Sequence, residues 1–563
     1  MKHVEKYRAG YFLPPEECLD WVKQDRLEKA PIWCSVDLRD GNQALVTPMN
    51  LKEKLEFYEF LLKLGFKEIE VGFPAASDTE YEFLRCLIEQ NRIPEDVTIQ
   101  VLTQSRPHII EKTFEAIRGA KRVIVHLYNS TSLAQRQQVF RRSEEEIIDI
   151  AQEGARLFNE YAAKMPETEF TYEYSPESFT GTEPEFALAI CNAVIDIWKP
   201  SPKRKVIINL PATVEMSMPH VYAQQIAFVS RNLHCREHVI VSVHPHNDRG
   251  TGVAAAELGL LAGGDRVEGT LFGNGERTGN VDLITLAMNL YTHGVDPGLD
   301  FSNMPKIVHF YEESTGMPIS ARQPYAGQLV FAAFSGSHQD AIAKGMQFRK
   351  EQEETLWTVP YLPLDPADVN REYQTDVIRI NSQSGKGGIS YVLEHHFGYD
   401  LPEELRREVG TFIKGVSDTQ HKELEPQDIL EAFYEEYINI HTPISLEDIS
   451  WMRKDGNTVA DVNLKIGDEE YFLTAKGNGP IDATSRALRM AHPNLDFSFE
   501  DYAEHALEVD SDSQAAAYVK ISDPKGRNYW GVGVHEDITL ASVRALISAL
   551  NRENLVWNFI PQN

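Results

Sequence analysis

Between about residues 31 and 305, the chain alternates short apolar runs with longer amphipathic stretches. Several of the short runs are unbroken, which is typical of parallel strands that are covered on both faces. The longer stretches have helical spacing: Leu51, Leu55 and Tyr58 are four and three positions apart, and Gly65 is a stop signal. The eight runs that we predict as strands are 32–36, 68–71, 97–102, 122–127, 169–174, 205–210, 239–243 and 266–271.

Eight strand–helix units of this size predict an α/β fold, a closed (β/α)8 TIM barrel, over residues 31–305. An open, doubly wound sheet is the alternative, but such a sheet usually has fewer strands and a phosphate-binding loop. No Gly-x-Gly-x-x-Gly motif follows the first predicted strand. The barrel is therefore the favoured architecture.

The alternation stops after residue 305, so the chain divides further. Residues 1–30 are predicted to form an N-terminal extension and residues 306–438 a set of helical linker subdomains. Within the linker, 385–388 (Gly-Lys-Gly-Gly) is interpreted as a flexible turn or a phosphate-contacting loop, and 402–437 as an acidic helical stretch. Residues 439–563 are predicted to form a separate C-terminal domain.

The C-terminal domain contains an internal repeat. Residues 471–488 align with 529–546, and the clearest match is Ala-Thr-Ser-Arg-Ala-Leu at 483–488 against Ala-Ser-Val-Arg-Ala-Leu at 541–546. Each copy is predicted as three strands followed by a helix, so the domain is an α+β module of two pseudo-symmetric βββα repeats. A ligand site or a dimer contact between the repeats is one interpretation. A duplicated module without a ligand is the other.

Composition narrows the class of partner. The chain has 563 residues, 42% of them hydrophobic, and a formal net charge of −30. The acidic balance argues against nucleic acid and against an anionic membrane surface, because phosphate groups bind to basic faces. A small anionic substrate is still compatible, because one or two local arginines can hold it.

Targeting signals and cysteines agree with a cytoplasmic protein. No apolar segment follows the first residues, and no 18-residue apolar run is long enough to span a membrane. The cysteines are scattered, which favours a reducing compartment and excludes a Cys-x-x-Cys zinc site. They are Cys18, Cys34, Cys86, Cys191 and Cys235, all interpreted as inert thiols.

Polar residues follow nearly every predicted strand, and the carboxyl ends of barrel strands are where active sites lie. His244 and His246 are two apart on an extended segment, so their rings point to the same side. Together with Asp40 they offer two imidazole nitrogens and one carboxylate oxygen, a ligand set that suits a divalent ion. A His-x-His pair alone is a weak signal, but its place at a strand end favours a metal site with open positions for a chelating substrate.

Arg39 lies beside the predicted metal ligand, where it can stabilise negative charge that develops on the carbonyl oxygen of a 2-oxo acid. The structural alternative is a salt bridge from Arg39 to Glu177 or to Asp40. Glu177 itself can orient Arg39 and the substrate or act as a base. His126 and Thr213 are candidates to hold a substrate carboxylate or hydroxyl group, or are satisfied polar residues of the core.

Four motifs together resemble the acyl-CoA-dependent Claisen-condensing enzymes and, among them, the longer branch of the 2-isopropylmalate synthase family. The motifs are Asp-Leu-Arg-Asp-Gly-Asn-Gln at 37–43, Gly-Phe-Pro at 72–74, His-Pro-His-Asn-Asp at 244–248 and Gly-Asn-Gly-Glu-Arg-Thr-Gly-Asn at 273–280. Asn-Gln-Ala-Leu at 42–45 and Tyr-Ser-Pro-Glu-Ser-Phe-Thr-Gly-Thr-Glu at 174–183 are similar to that branch in particular. The resemblance covers nearly the whole chain.

The resemblance implies condensation of acetyl-CoA with 3-methyl-2-oxobutanoate and water, giving (2S)-2-isopropylmalate and CoA in the first committed step of leucine biosynthesis. It implies Mg²⁺, Mn²⁺ or Zn²⁺ as the ion, with K⁺ as an activator. Asn280 would either bind the metal directly or support one of the residues that bind it. The residues that it implies for the 2-oxo acid pocket are Arg39, Leu102, His126, Ser175, Glu177 and Thr213.

Two catalytic residues are implied outside the barrel. His338 and Tyr361 match a histidine and a tyrosine that, in the family, enter the site from the partner subunit and assist deprotonation of the acetyl group. This implies a homodimer. For Tyr361 a packed aromatic turn is the alternative.

The tail resembles the leucine-binding regulatory domain of the same synthases, which implies feedback inhibition by leucine. The matching loop of the first repeat consists of Gly477, Asn478, Gly479, Pro480, Ile481, Asp482 and Ala483. Three other functions remain open from sequence: a sister synthase that uses pyruvate or 2-oxoglutarate, a metal-dependent acyl-CoA lyase, and a leucine sensor without catalysis. The duplicated tail argues against the lyase.

Overall fold

A computed structural model describes the chain as two compact units. The described residues are 3–8, 10–333, 335–373, 386–420, 424–491, 495–507 and 513–552. The first unit comprises Met1–Val330 and Leu364–Arg371, and the second comprises Phe331–Pro363 and Glu372–Asn563. The domain limits proposed from sequence remain predictions.

The first unit is a closed barrel of eight parallel strands, which confirms all eight runs predicted from sequence. Each strand pairs with its neighbour in chain order, and β1 closes the barrel against β8. The strands are β1 Ile32–Ser35, β2 Glu68–Gly72, β3 Thr98–Gln104, β4 Arg122–Ser130, β5 Glu169–Glu177, β6 Val206–Ala212, β7 Val239–Pro245 and β8 Arg266–Gly269. β4 and β5 extend beyond their apolar runs because Ser130 pairs with Glu177 at their ends. Polar strand ends carry no apolar pattern, so the sequence underestimates these two lengths.

Helices surround the barrel, as the amphipathic spacing predicts. Helix α1 begins after Asn50, whose side chain forms a capping box with Glu53, and the turn at Gly65 follows its end. The helices of this unit are α1 Leu51–Lys63, α2 Asp78–Glu89, α3 Pro107–Ala116, α4 Glu144–Ala162, α5 Pro184–Trp198, α6 Pro219–Asn232, α7 Gly252–Leu261, α8 Leu283–Thr292 and α9 Met304–Thr315. The ring of Phe310 on α9 stacks on Phe60 with the centroids 3.9 Å apart, so α9 belongs to the barrel's outer layer.

The interior of the barrel carries a layer of charged and amide side chains where branched apolar residues are usual. These side chains are almost completely buried: Glu70, Gln100, Glu173, Asn209, Arg266 and Glu268. Arg266 donates to Glu68 at 2.6 Å, to Glu268 at 2.8 Å and to Gln100 at 2.7 Å. Buried ionic groups persist only when they are paired in this way.

The second unit begins with helices and ends with the predicted repeats. Its elements are α10 Gly336–Gln352, α11 Lys386–Phe397, α12 Glu403–Gln420, α13 Pro426–Tyr437, β9 Ile444–Lys454, β10 Asn457–Ile466, β11 Glu469–Gly477, α14 Pro480–Ala491, β12 Ser498–Ala506, β13 Ala515–Ser522, β14 Asn528–His535 and α15 Ile538–Arg552. The order βββα occurs twice, as the repeat predicts. The turn or loop predicted for 385–388 is wrong from Lys386 onward, where α11 starts, and Gly385 lies outside the described residues.

The two repeats share one hydrophobic core. β9, β10 and β11 form one antiparallel sheet and β12, β13 and β14 another, and residues of both sheets and both helices pack in the same cluster. On β13 the side chains alternate: Ala517 and Val519 face that core, whereas Tyr518 packs with Ile429 and Phe433 of α13. The second repeat is therefore covered on both faces.

Across the described parts of the chain, the longest and most apolar helices still fall short of what a membrane-spanning segment requires.

The close approach of β14 and α15 gives a stability prediction. A β-carbon at Gly533 would overlap the carbonyl oxygen of Ala541, which is helix backbone and cannot rotate away. We expect Gly533→Ala to lower the free energy of unfolding of the second unit by about 1–3 kcal/mol. Gly415→Ala is the matched control, because Gly415 lies in α12 with open space around it.

Differential scanning calorimetry of both variants measures the effect. Gly415→Ala should raise the midpoint slightly, since alanine favours helices over glycine by about 1 kcal/mol. A Gly533→Ala protein that unfolds at the wild-type temperature would contradict the packing described for this helix.

Candidate active site

A cavity of about 720 Å³ opens at the carboxyl ends of the barrel strands. It brings together most of the residues predicted for the metal and the 2-oxo acid: Arg39, Asp40, Leu102, His126, Ser175, Glu177, Thr213, His244 and His246 all line it. These residues come from six strands or the loops that follow them, so the closure of the barrel is what assembles the site.

Hydrogen bonds to Asp37 hold the turn that carries Arg39 and Asp40. It follows β1 as a short helical turn, Asp37–Gly41. The carboxylate of Asp37 accepts hydrogen bonds from the Ser35 hydroxyl at 2.8 Å and from the Leu271 amide at 3.0 Å. This ties the turn to the segment after β8.

Asp40, His244 and His246 converge on one point. Asp40 Oδ2 lies 3.6 Å from His244 Nε2 and 3.7 Å from His246 Nε2, and all three residues are buried. Asp40 Oδ2 has no hydrogen-bond partner, although it is fully enclosed. An enclosed, unsatisfied carboxylate oxygen facing two imidazoles is what a site for a divalent cation requires.

Asn280 lies at the same point. Its Oδ1 is 2.8 Å from His244 Nε2, and its amide group donates to the carbonyl of Asn274 at 2.9 Å. The backbone of His246 bridges to that of Asn280, which fixes the loop against β7. Gly279 has φ +95°, and a β-carbon there would overlap the carbonyl of Gly273, so this tight loop needs glycine.

The pKa values of His244, His246 and Asp40 are shifted in different directions. Burial lowers the pKa of His244, but Asp40 and Glu268 outweigh it and raise that pKa to about 9. Burial and then the neighbouring His244 lower the pKa of His246 to about 4. Burial raises the pKa of Asp40, yet the Arg39 guanidinium and the two imidazoles hold it well below its usual range. At neutral pH, Asp40 is therefore ionised and His246 is neutral, as metal ligands must be, whereas His244 has to release a proton before it can bind an ion.

Arg39 is held by two carboxylates. It donates from Nε to Glu70 Oε2 at 2.5 Å and from Nη1 to Asp40 Oδ1 at 3.0 Å. Burial opposes its charge, but Glu70 and Asp40 outweigh that effect and raise the pKa of Arg39 further above its usual range. The predicted pairing with Asp40 is present, and the second carboxylate that Arg39 contacts is Glu70 rather than Glu177.

Glu177 lies at the end of β5 and accepts a hydrogen bond from the Ser130 hydroxyl of β4. Thr213 accepts from the backbone amide of Ser178 at 2.9 Å, so its hydroxyl oxygen is partly engaged. Leu102 contributes an apolar wall, and its side chain is buried. The cavity thus offers both polar and apolar surface.

His126 and Ser175 form a linked pair inside the cavity. His126 Nε2 lies 2.7 Å from Ser175 Oγ, and Ser175 Oγ accepts from Asn209 Nδ2 at 3.0 Å. On its other side, His126 Nδ1 lies 3.1 Å from Glu70 Oε1. The ring is therefore held at both nitrogens.

His338 and Tyr361 belong to the second unit. Their rings stack with centroids 3.9 Å apart and planes at 17°, and both side chains are exposed. Tyr361 has φ +63°, in the left-handed region. The structure brings the two predicted residues together, with Tyr361 in a turn, stacked on His338 and otherwise exposed.

The predicted regulatory loop is the connection from β11 to α14. Asp482 accepts from the backbone amide of Asn478 at 2.9 Å, and a β-carbon at Gly477 would overlap the backbone of Ala483. Gly477 thus serves close packing, whereas a β-carbon at Gly479 would meet open space. Pro480 and Ile481 begin α14.

Several site residues were not predicted from sequence, and they lie one layer below the cavity. Glu70 holds both Arg39 and His126, while Glu268 accepts from His244 at 2.7 Å. A signal was available, because an acidic residue inside a strand buried on both faces is unusual. The partner of each acid lies far along the chain, so the sequence did not show the pairing.

Three family models match successive parts of this chain. A family model described as HMGL-like matches residues 30–310, one described as alpha-isopropylmalate synthase, post-catalytic domain-like, matches 328–394, and one described as LeuA allosteric (dimerisation) domain matches 423–553. The HMGL-like match spans the barrel, and the LeuA match spans both repeats.

Curated relatives match over nearly the whole chain. The chain is 61% identical over 551 residues to a 2-isopropylmalate synthase of Desulfitobacterium hafniense, covering 98% of each chain. It is 58% identical over 555 residues to that of Helicobacter hepaticus, covering 97% of this chain and 99% of the relative. It is 53% identical over 553 residues to that of Acetoanaerobium sticklandii, covering 98% and 97%. The family predicted from the strand-end motifs is confirmed, and the chain belongs to the 2-isopropylmalate synthase family of Claisen-condensing acyltransferases.

Proposed function

We propose that this chain condenses acetyl-CoA with 3-methyl-2-oxobutanoate and water, giving (2S)-2-isopropylmalate and CoA. The observation that carries the proposal is the enclosed Asp40 oxygen that faces His244 and His246, with the Arg39 guanidinium beside it. The names of the relatives agree with this reaction.

Asp40, His244 and His246 would hold a divalent ion, with Asn280 as a fourth ligand or as support for His244. When bound, the ion supplies Lewis-acid polarisation of the 2-oxo acid carbonyl. Two nitrogens and one or two oxygens suit Mg²⁺, Mn²⁺ or Zn²⁺. Activation by K⁺ is proposed from the family resemblance alone.

Arg39 would stabilise negative charge on the carbonyl oxygen as it becomes an alkoxide. Its contacts with Glu70 and Asp40 fix the guanidinium before substrate arrives, so no reorganisation is needed during the reaction. His126, Ser175 and Thr213 would hold the substrate carboxylate. Leu102 would contact its branched alkyl group.

The acetyl methyl group of a thioester is a very weak acid, so a positioned base is needed. His338 and Tyr361, from a second copy of the chain, are proposed to assist removal of that proton, with Glu177 as an orienting group or a base. The pairing of the two rings supports a joint role. Hydrolysis of the thioester then makes the condensation irreversible.

Leucine is proposed as the effector. The match of residues 423–553 to an allosteric, dimerisation domain supports a small-molecule regulator and a homodimer. The site would lie between the two repeats, near the loop from Gly477 to Ala483, and leucine binding would lower the rate.

Release of CoA from acetyl-CoA, followed with a thiol reagent, tests the reaction. We expect release that depends on 3-methyl-2-oxobutanoate and is slower with pyruvate or 2-oxoglutarate, because Leu102 supplies an apolar wall. Arg39→Ala should lower kcat about 100-fold to 1,000-fold, since a donor to the developing oxyanion is lost.

Each rival has its own result in that assay. A preference for pyruvate or 2-oxoglutarate would identify a sister synthase, and cleavage of a hydroxyacyl-CoA would identify a lyase. Leucine binding without CoA release for any 2-oxo acid would identify a sensor and contradict the proposed reaction.

Loss of an imidazole tests the metal site without relying on turnover. We expect His246→Ala to weaken binding of Mn²⁺ or Zn²⁺ about 100-fold or more in titration calorimetry, because one of three protein ligands is gone. His220→Ala, which removes an exposed imidazole from α6, is the control and should bind the ion like the wild type. Equal affinity in His246→Ala would place the ion elsewhere.

A larger side chain in the regulatory loop tests the proposed leucine site. Gly479 faces open space, so Gly479→Val should fold normally and leave the uninhibited rate unchanged. We expect the leucine concentration for half inhibition to rise about tenfold or more, the equivalent of losing about 1.4 kcal/mol of binding. Gly415→Ala serves as the glycine control, and an unchanged leucine response in Gly479→Val would exclude this loop.

A further inference from the structure

The carboxyl group of Glu173 lies directly beneath the proposed 2-oxo acid pocket. Glu173, Ser175 and Glu177 are alternate residues of β5, so their side chains point to the same face, the interior of the barrel. Ser175 and Glu177 line the cavity, and Glu173 is one step deeper, about 7 Å along the strand. Its side chain is completely buried.

Both carboxyl oxygens of Glu173 lack a hydrogen-bond partner. Two nitrogen atoms of charged or titratable side chains lie close to it: His126 Nε2, 3.4 Å from Oε1, and Arg266 Nη1, 3.6 Å from Oε2. An ionised carboxylate in such a place would be desolvated without the hydrogen bonds that normally compensate.

Arg266 gives Glu173 no hydrogen bond, and four of its five N–H donors serve other acceptors. Nε donates to Glu68, Nη2 to Gln100, and Nη1 is shared by Glu268 at 2.8 Å and Ser242 at 2.9 Å. Arg39, the other buried guanidinium of this region, pairs with Asp40 and Glu70.

The charged and titratable groups that face Glu173 come from three strands: His126 on β4, Glu70 on β2, and Arg266 and Glu268 on β8. Burial, followed by the Glu268 carboxylate, raises the pKa of Glu173 well above its usual range, although Arg266 acts in the opposite direction. His126, Glu173 and Glu268 lie as close together as metal ligands do, but the Arg266 guanidinium already supplies the positive charge there.

We propose that Glu173 is a positioning residue that keeps a proton on its carboxyl group, so that no further negative charge lies beneath the anionic 2-oxo acid. The proposal rests on the proposed function, since it assigns the cavity to a 2-oxo acid. Loss of the proton would place an unpaired negative charge beneath the substrate carboxylate. Substrate binding would weaken, whereas the groups that act on the reacting carbonyl would stay in place.

The kinetic test measures KM for 3-methyl-2-oxobutanoate and kcat from neutral pH to the most alkaline pH at which the protein stays folded. In the wild type we expect KM to rise about tenfold or more as Glu173 ionises, with kcat nearly constant, because a charge some 7 Å away at an effective dielectric constant of about 20 repels the substrate to that extent. Glu173→Gln, which is neutral at every pH, should abolish this rise.

Glu169→Gln is the matched control, because Glu169 begins the same strand but is exposed, and it should behave like the wild type. A rise in KM that is the same in Glu173→Gln and in the wild type would overturn the proposal. Absence of CoA release with every 2-oxo acid would instead overturn the proposed function.

An infrared titration tests the proton itself, whether or not Glu173→Gln folds and whether or not the enzyme turns over. The wild-type full-length protein is labelled with ¹³C in its glutamate carboxyl groups. The label shifts only the infrared bands of glutamate, so these bands are separated from those of buried aspartates. We expect the C=O stretch of a protonated glutamic acid to persist well above pH 4.3, the pKa of an ordinary glutamate. Among the described residues, Glu173 is the one glutamate whose pKa is raised. Loss of that band by pH 6 would overturn the proposal.

Discussion

The ion pair between Arg266 and Glu268 is the contact on which the interior of the barrel depends. Both side chains are completely buried, and the guanidinium donates to the carboxylate at 2.8 Å. Glu268 in turn accepts from His244 Nδ1 at 2.7 Å, which turns the opposite nitrogen of that ring toward Asp40. A carboxylate behind a metal-binding histidine fixes the ring and strengthens it as a ligand. The buried Arg266–Glu268 pair beneath the cavity thus sets the orientation of the His244 ring in the proposed metal site.

The buried charged side chains beneath the cavity also explain how one site can bind both a cation and an anion. A divalent cation needs the negative charge of Asp40, whereas an anionic 2-oxo acid needs neutral or positive surroundings. Arg39 and Arg266 are each paired with two carboxylates, so the deeper layer already has more negative than positive groups, and a proton on Glu173 keeps a further negative charge away from the substrate. Removing one member of such a network is costly, because its partner becomes a buried charge without compensation.

The C-terminal repeats differ from the interior of the barrel, because apolar packing stabilises them. Each βββα unit has one sheet and one helix, which is too little to bury its own apolar face. The two units pack into a common core, and the second sheet uses its other face against α11, α12 and α13. Ile438, just after α13, bridges to Val532 of β14. Truncation at residue 439 would therefore expose an apolar face of α13, which is why single substitutions are better probes of this domain.

The eight strands, the closed barrel, the duplicated tail and the family could all be predicted from the amino-acid sequence. These features follow from local periodicity and from motifs at strand ends, and the ends of parallel strands meet on one side of a barrel whatever the details of its packing. The same rule predicted that Asp40, His244 and His246 would come together. It did not show that the Arg39 Nε donates to Glu70, or that Glu268 supports His244.

Those contacts were decided by the tertiary structure alone. Glu70, Glu173 and Glu268 lie on different strands, and the groups that surround each carboxyl are set by the register and closure of the barrel, which no local pattern encodes. A glutamate within an apolar run marks an unusual position, but only the folded barrel shows whether it meets an arginine, a histidine or nothing. Glu173 meets no free cation in its described surroundings, because Arg266 is already paired, and its protonation is a consequence of the fold rather than of the sequence near it.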